Sequence, residues 1–388
     1  MAHKPYHLHK RVTTKPGKYI YYVQFYDDSG KRLNAISTGQ TSRAAAEVWA
    51  FDHLKKGTIP VRNYLTFGNY AEDWWIWDKC KYIEGKLARG GYCSRSYANT
   101  MRTYLDQHIL PYFKNIKLQT LTHDLINNWV LDLRNKPGRG GNPLSPTTIN
   151  HCLTCLKIML KEAVTRGLLS RNPACFVGGL KEIPKTKSIL ELEEVRELFD
   201  RKNIYSVWSN DLLHYALNLL AASSGVRMGE AQALQIRNVR TNYIEIEYSW
   251  DRKYGLIPPK WQSQRSIPIP SKTSDCLFEL IDKSPYRSSD DLIFWGFDRN
   301  TPIRNELILR SLYRALNIIG ISPEERSRRN ITFHSWRHFY NSVMRGKIHD
   351  YKLQKLTGHR TNEMTEHYTH FRLEDFNDVR EIQENIFK

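Results

Sequence analysis

The sequence predicts a mainly α, multidomain chain of the α+β class, and three observations carry that expectation. The chain has 388 residues, of which 40% are hydrophobic and 12% aromatic. That is enough for two or three cores at about 100–200 residues per domain, and it argues against disorder. One stretch near the start, YIYYVQFYD (19–27), is aromatic and β-branched and runs into a DSG turn, whereas most of the remainder has apolar residues at helical spacing. VGGLKEIPKTKS (177–188) has Gly, Pro and Lys without an apolar period and reads as a linker. The expected architecture is a small sheet with one helix, then a helical bundle, then a mostly helical last domain with a β-hairpin or small sheet.

Residues 1–60 form the first module. After strand 19–27, KRLNAISTG (31–39) reads as the returning strand. Thr41 or Ser42 caps a helix through AAAEVWAFDHLKKG, and Gly57 ends it. A narrow β-ribbon fits a major groove, with Lys15, Lys18, Lys31 and Arg32 on phosphates. A small α+β cap with solvated lysines accounts for the same pattern equally well. The opening MAHKPYHLHKR is basic without an apolar core, so it does not read as a signal peptide.

Residues 66–176 form the bundle. Thr66 opens TFGNYAEDWWIWDKC, YANTMRTYLDQHILPYF follows with Pro111 as breaker, and HDLINNWVLDLRNK is a third amphipathic segment. KPGRGGNPLSP (136–146) is a basic loop before the long helix SPTTINHCLTCLKIMLKEAVTRGLL, which RNPA closes. Trp74, Trp75 and Trp77 read as core before they read as a base-stacking platform. Tyr92, Arg95, Tyr97 and Arg102 suit a face lying along a DNA backbone.

Residues 189–388 form the last domain. LELEEVRELFD is amphipathic, and DLLHYALNLLAASSG (211–225) is a buried helix. His214, Asn218 and two serines make it a poor membrane span. VRMGEAQAL starts a new helix, so Arg227 sits near a helix N-terminus, where anions bind. NYIEIEYSW (242–250) and RSIPIP (265–270) are strand-like, with Lys253 and Lys260 expected at the hairpin tip between them.

Composition narrows the function. Net charge is +18 and the pI is near 9.5. A neutral-metabolite enzyme has no need of that excess. It favours a polyanion, nucleic acid before an anionic membrane surface. Six scattered cysteines (80, 93, 152, 155, 175, 276) suit free thiols in a reducing cytosol. The CxxC of Cys152 and Cys155 lies in a helical apolar pattern and reads as core packing, not zinc or redox chemistry. The stretch Ile331–His370 gathers His334, Arg337, His359 and Tyr368, with no carboxylate pair to hold a metal. A tyrosine amid fixed positive charge points to covalent attack on a phosphodiester. His334 and His338 are four apart, but HSWRH lacks the glutamate of the zinc proteases.

SSGVRMGEAQAL, PPKWQSQRSIPIP, HSWRH and LTGHRTNEMTEHYTH, in that order, resemble the tyrosine recombinase (phage integrase) family. The resemblance covers the chain. It implies an arm-site DNA-binding domain at 1–60, a SAM-like core-site-binding domain at 66–176, the linker at 177–188, and a catalytic domain with a C-terminal helix at 189–388. Arg227 matches the first catalytic arginine and Glu230 the acidic residue after it. Lys260 matches the hairpin lysine by its spacing to Arg265 and IPIP, with Lys253 as competitor. His334 and Arg337 match His-x-x-Arg, His359 the position held by His or Trp, and Tyr368 the nucleophile.

The resemblance further implies site-specific recombination that integrates and excises a mobile element through a Holliday junction. Tyr368 would leave a 3′-phosphotyrosyl link and a free 5′-hydroxyl. Arg227 and Arg337 would hold the non-bridging oxygens, with His334 and His359 donating to the same phosphate. His334 would also accept the phenolic proton, and Lys260 would protonate the departing oxygen. Glu230 would orient its neighbours. No metal, ATP or other cofactor is implied. The implied partners are double-stranded DNA at core and arm sites, three further copies of the chain in a tetramer on two duplexes, and accessory DNA-bending and excision factors. The implied location is the bacterial cytoplasm, on DNA and away from membranes. An architectural DNA-binding protein and a type IB relaxing enzyme are the competing readings. The full catalytic set and the arm-like module favour recombination. In the tail 371–388, Leu373, Phe376, Val379, Ile382 and Ile386 approach helical spacing. They would pack on their own domain or, as the family implies, dock on a neighbouring subunit.

Overall fold

A computed structural model describes residues 5–13, 17–26, 32–55, 65–138, 141–183, 188–358 and 365. The chain divides into two compact units at Glu182/Ile183.

In the first unit, β1 (Tyr6–Val12) pairs antiparallel with β2 (Tyr19–Phe25), from Tyr6↔Phe25 to Val12↔Tyr19. β3 (Ile36–Ser37) lies on the other edge of β2. Strand β1 was not expected. Its alternation of Tyr6 and Leu8 with His7 and His9 is hidden by the basic residues around it. The expected returning strand at 31–39 shrinks to the two residues of β3. Helix α1 (Arg43–Lys55) closes a core of Val23, Phe25 and Ala50, with Tyr6, Leu8 and Ile36 packed around it.

A separate core belongs to the helices that follow. These are α2 (Phe67–Ala71), α3 (Lys81–Ala88), α4 (Arg95–Tyr104), α5 (Leu110–Phe113), α6 (His123–Asn135) and α7 (Pro146–Thr165). Trp74, Trp75, Trp129, Cys152 and Cys155 are buried in it. Burial pushes the Cys152 thiol up to about 12, which removes it from redox chemistry at ordinary pH. Pro111 does not break its segment. A π turn, Leu105–Ile109, joins α4 to α5 and accommodates a proline that cannot donate an amide proton. The carbonyl of Gln107 accepts instead from Lys136 Nζ at 2.8 Å, and that of His108 from Trp129 Nε1 at 3.0 Å.

Part of the expected linker packs on this bundle. Val177 is buried. Asn150 Nδ2 donates to the Leu180 carbonyl at 2.9 Å, and Thr147 Oγ1 donates to Glu182 at 2.7 Å.

The second unit is built on α10 (Leu212–Ser224), preceded by α8 (Leu192–Phe199) and α9 (Ile204–Val207). The polar residue in its apolar run is accounted for: Asn218 accepts from Trp336 Nε1 at 2.9 Å and donates to the His214 carbonyl at 2.8 Å. After α11 (Met228–Gln232), the stretch read as one strand splits in two. β4 (Tyr243–Ile246) pairs with β7 (Arg265–Pro268), and β5 (Ser249–Asp251) pairs with β6 (Gly255–Ile257). Then come α12 (Ser271–Asp282), α13 (Asn305–Ile318), α14 (Pro323–Arg328), α15 (Ser335–Met344) and α16 (Asp350–Thr357). Helices α12, α13 and α15 pack on α10. Among the described residues, no helix is long and apolar enough to cross a membrane.

Candidate active site

Helix α10 ends on Gly225, whose φ of 66° is left-handed. A side chain there would put its Cβ 2.6 Å from the Tyr340 ring, so glycine is required twice over. Its carbonyl accepts from Arg337 Nη1 at 2.8 Å. Arg337 is 0% exposed. Its Nη2 donates to the Thr357 carbonyl, so this one guanidinium ties α15 to the ends of α10 and α16.

Arg227 lies two residues past Gly225, at the cap of α11. Its backbone N–H donates to Glu230 Oε2 at 2.9 Å and its Nη1 to Oε1 at 2.7 Å. Arg265, from the start of β7, grips the same carboxylate from the other side. Its Nη2 donates to Oε2 at 2.8 Å and its Nη1 to Oε1 at 3.3 Å. Arg265 Nε donates to the Leu356 carbonyl at 2.7 Å.

Glu230 is 1% exposed. Burial alone would raise its carboxyl, but Arg265 and then Arg227 outweigh that and hold it at about 2. It stays ionised at any working pH. Arg227, Arg265 and Arg337 against one carboxylate leave a surplus of positive charge. Arg227 is the open member, with 21% of its side chain exposed against 8% for Arg265. The group can therefore receive a singly charged phosphodiester without losing its internal pairing.

Arg265 was quoted in the sequence reading only as a spacing mark. The signal that could have found it is a charge at the first position of a strand, directly before Ser266 and the apolar run Ile267–Ile269.

His334 caps α15, half-buried, with its ring 5.5 Å from that of His338. Lys260 does not stand at the hairpin tip. It opens a single turn between β6 and β7, exposed, with Nζ 5.9 Å from the Trp261 ring. Trp261 and Gln262 beside it have φ of 65° and 53°. Two adjacent left-handed non-glycine residues are costly and have to be held by their surroundings. Lys253 is the residue at the β5–β6 turn, exposed, with Nζ 5.4 Å from the Tyr254 ring.

His359, Tyr368 and the tail 371–388 lie outside the described residues. The chain leading to them departs from the arginine group. Gly358 caps α16 with φ 66°. A Cβ there would lie 2.9 Å from Ser263 Oγ and 3.2 Å from Arg265 Nη1.

The expected DNA-facing residues fare unevenly. Lys18 and Arg32 are exposed, while Lys15 and Lys31 lie outside the described residues. On the sheet face turned away from α1, Arg11 stacks 4.7 Å over Tyr22 beside His9, a basic-aromatic strip that was not expected. In the bundle, Tyr92 and Tyr97 are exposed, and exposed Arg95 lies 5.5 Å over the Trp77 ring. Arg102 is a correction. Its Nη1 donates to the carbonyls of Ala71 (3.3 Å), Glu72 (2.9 Å) and Trp74 (3.0 Å), and its Nε pairs with Asp106 at 3.0 Å. It holds the turn after α2 and is not a spare cation.

Comparison with known proteins places the chain among integrases. Residues 188–374 match the phage integrase family, and residues 88–134 match the phage integrase N-terminal SAM-like domain. The ICEBs1 integrase of Bacillus subtilis is 24% identical over 278 residues, 68% of this chain and 70% of that protein. The tyrosine recombinase XerC of Haemophilus influenzae is 24% identical over 229 residues, 58% of this chain and 71% of that protein. Among solved structures, the Tn1549 transposon integrase in complex with a circular intermediate DNA superposes with TM-score 0.59 at 19% identity, over 79% of this chain and 98% of that one. A lambda integrase tetramer bound to a Holliday junction does so with TM-score 0.55 at 17% identity, over 90% and 92%.

Proposed function

The chain belongs to the phage integrase family and is a DNA-breaking and -rejoining tyrosine recombinase, and on that premise we propose how its residues divide the work. The phenol of Tyr368 attacks a backbone phosphate. Its oxygen forms the new P–O bond, the 5′-oxygen leaves, and the 3′ end stays on the protein. Arg227 meets the non-bridging oxygens from the open side of the arginine group. Arg337 holds the floor of that group and closes on the phosphate as DNA enters. His334 takes the phenolic proton and His359 donates to the phosphate. Lys260 protonates the departing 5′-oxygen. Attack by a second 5′-hydroxyl reverses the step on a new strand. The covalent link conserves one phosphodiester's energy, so ligation needs no nucleotide.

The observation that carries this reading is the Arg227–Glu230–Arg265 chain of hydrogen bonds, with Gly358 packed against Arg265. It sets a surplus of positive charge at the root of the segment bearing Tyr368. Two other elements belong to the proposal. The basic-aromatic strips of the first unit bind arm and core DNA. Four chains assemble on two duplexes, in the manner named for the lambda integrase tetramer. The strips supply salt-dependent affinity.

The test is covalent trapping in EDTA on a nicked duplex carrying the element's attachment core, with wild type beside Tyr368→Phe. The expected result is a protein–DNA band on a denaturing gel that needs Tyr368. Binding without a band on a verified core would overturn the assignment of Tyr368.

A further inference from the structure

The strongest unassigned feature is a small polar pocket in the second unit, at the end of α10 remote from Gly225. Eleven residues of helix separate His214 from Gly225, about 16 Å at 1.5 Å per residue. The pocket measures about 140 Å³ and lies between the first turn of α10 and the middle of α13. A water needs only about 10–15 Å³ of such space, so the room suits a group of several heavy atoms.

Its lining has one chemical character. Asp211, His214, Arg310, Ser311 and Arg314 face it, with Leu307 as the apolar member. Arg310 and Arg314 are one turn apart on α13 and exposed. Among the described residues neither is ion-paired to a carboxylate. Two buried polar atoms at the pocket have no hydrogen-bond partner: His214 Nε2 and Ser311 Oγ. Ser311 is 6% exposed. Leaving such an atom unsatisfied costs about 1–3 kcal/mol, so a hydrogen-bonding group in the pocket is favoured.

The state of His214 follows from its other side. Nδ1 lies 2.6 Å from Asp211 Oδ2. An ionised carboxylate only accepts, so Nδ1 carries the proton. His214 side-chain and backbone hydrogen bonds to Asp211 outweigh the effect of its burial and keep its carboxyl below the usual range. The pocket offers two guanidiniums and one hydroxyl. Its only acid is already committed to His214.

We propose that this pocket is a binding site for a single phosphate group, held by Arg310 and Arg314 and bonded by Ser311 Oγ. The planar forks of arginine match tetrahedral oxyanions better than they match halides. The group is either free inorganic phosphate or one phosphate of a DNA backbone. The site is separate from the arginine group around Glu230 and does not depend on the roles given to that group.

The experiment uses the full chain in chloride buffer at constant ionic strength, titrated calorimetrically with inorganic phosphate. The arginine group also attracts phosphate, so wild type is compared with R310Q/R314Q, whose arginine group is intact. Equal melting temperatures without phosphate establish that the variant is folded. Wild type should take up one more phosphate per chain than the variant. Ser311→Ala should weaken that extra site about tenfold, as loss of one hydrogen bond to an anion predicts.

A second arm distinguishes the source. If phosphate lowers duplex affinity more in wild type than in R310Q/R314Q, the group is a DNA phosphate. If phosphate lowers duplex affinity equally in the two proteins, the site takes the free ion, and the proposal stands in that form. Identical phosphate uptake by wild type and R310Q/R314Q, or no saturable uptake by either, overturns it. In that event the pocket holds ordered water only.

Discussion

Glu230 shows what a single residue contributes to the site. It is a carboxylate in a place that must attract phosphate, which looks self-defeating until its partners are counted. Arg227 and Arg265 are close-packed cations, and without the carboxylate between them they would repel each other in a poorly solvated space. Replacing Glu230 by Gln should therefore cost about 3–5 kcal/mol of stability in urea unfolding, the usual cost of breaking a buried pair. It should also abolish strand cleavage. The pH dependence follows. The carboxyl is depressed in the fold to about 2 from an ordinary 4.5. Its contribution is complete above pH 4.5 and is lost as pH falls towards 2. By linkage it is of order 3 kcal/mol. Wild type should lose stability across that window, and Glu230→Gln should show a much flatter acid limb. An acid limb of equal steepness in the two proteins would count against the pairing. Much of this was legible in GVRMGE, since Arg227 and Glu230 are three residues apart across one helix turn. Arg265 was not, because the link from β7 to Glu230 spans 35 residues, and no local spacing reports such a contact.

At the scale of elements, the strongly periodic helices were readable and the interruptions were not. His123–Asn135 and Pro146–Thr165 matched their patterns because a capping Thr or Ser and an apolar stripe coincide at each. Pro111 misled because its effect on a helix can be absorbed by a π turn, provided the displaced carbonyls find donors. Those donors, Lys136 and Trp129, come from another part of the sequence. Arg102 misled for a similar reason. An arginine beside exposed tyrosines fits a DNA-binding face, but the carbonyls left open after the five-residue α2 claim it. Changing Arg102 to Met should lower the stability of the first unit by about 2–3 kcal/mol, the range for losing hydrogen bonds from a charged group. The slope of log DNA affinity against log salt should stay unchanged, which would separate it from a phosphate contact. A slope reduced by about one would return Arg102 to the DNA-facing set. The strand read at 242–250 split because its residues serve two partners, β7 and β6, and the pattern of one strand does not show which neighbour it will find.

At the scale of the molecule, most of the +18 charge lies in the first of two compact units, and that unit carries two cores of its own. A chain built this way should divide its work. A fragment of residues 183–388 should still form the Tyr368-dependent covalent band on a nicked core. It should bind duplex at least about tenfold more weakly than the full chain near 0.15 M salt, with a shallower salt slope, because the phosphate contacts of the first unit are gone. Unchanged affinity would mean that the first unit contributes no DNA contacts. The fold class was visible in composition and periodicity. The boundary between the two units falls inside the stretch read as a linker, whose first half is fastened to α7.

The left-handed cap at Gly358 sets a leash. Tyr368 is ten residues further along, and a chain of that length spans at most about 36 Å when fully drawn out. The leash is pegged at the arginine group, since Arg265 bonds to Leu356 and Arg337 to Thr357 just before it. Any phosphate that Tyr368 can attack must lie within that radius of the peg, whichever subunit of an assembly supplies the arginines. Gly358→Ala would force a Cβ against Ser263 and Arg265 and pull the peg out without touching a charge. DNA should then still bind with its ordinary affinity, while the covalent band falls by about tenfold or more, as a misplaced reacting group predicts.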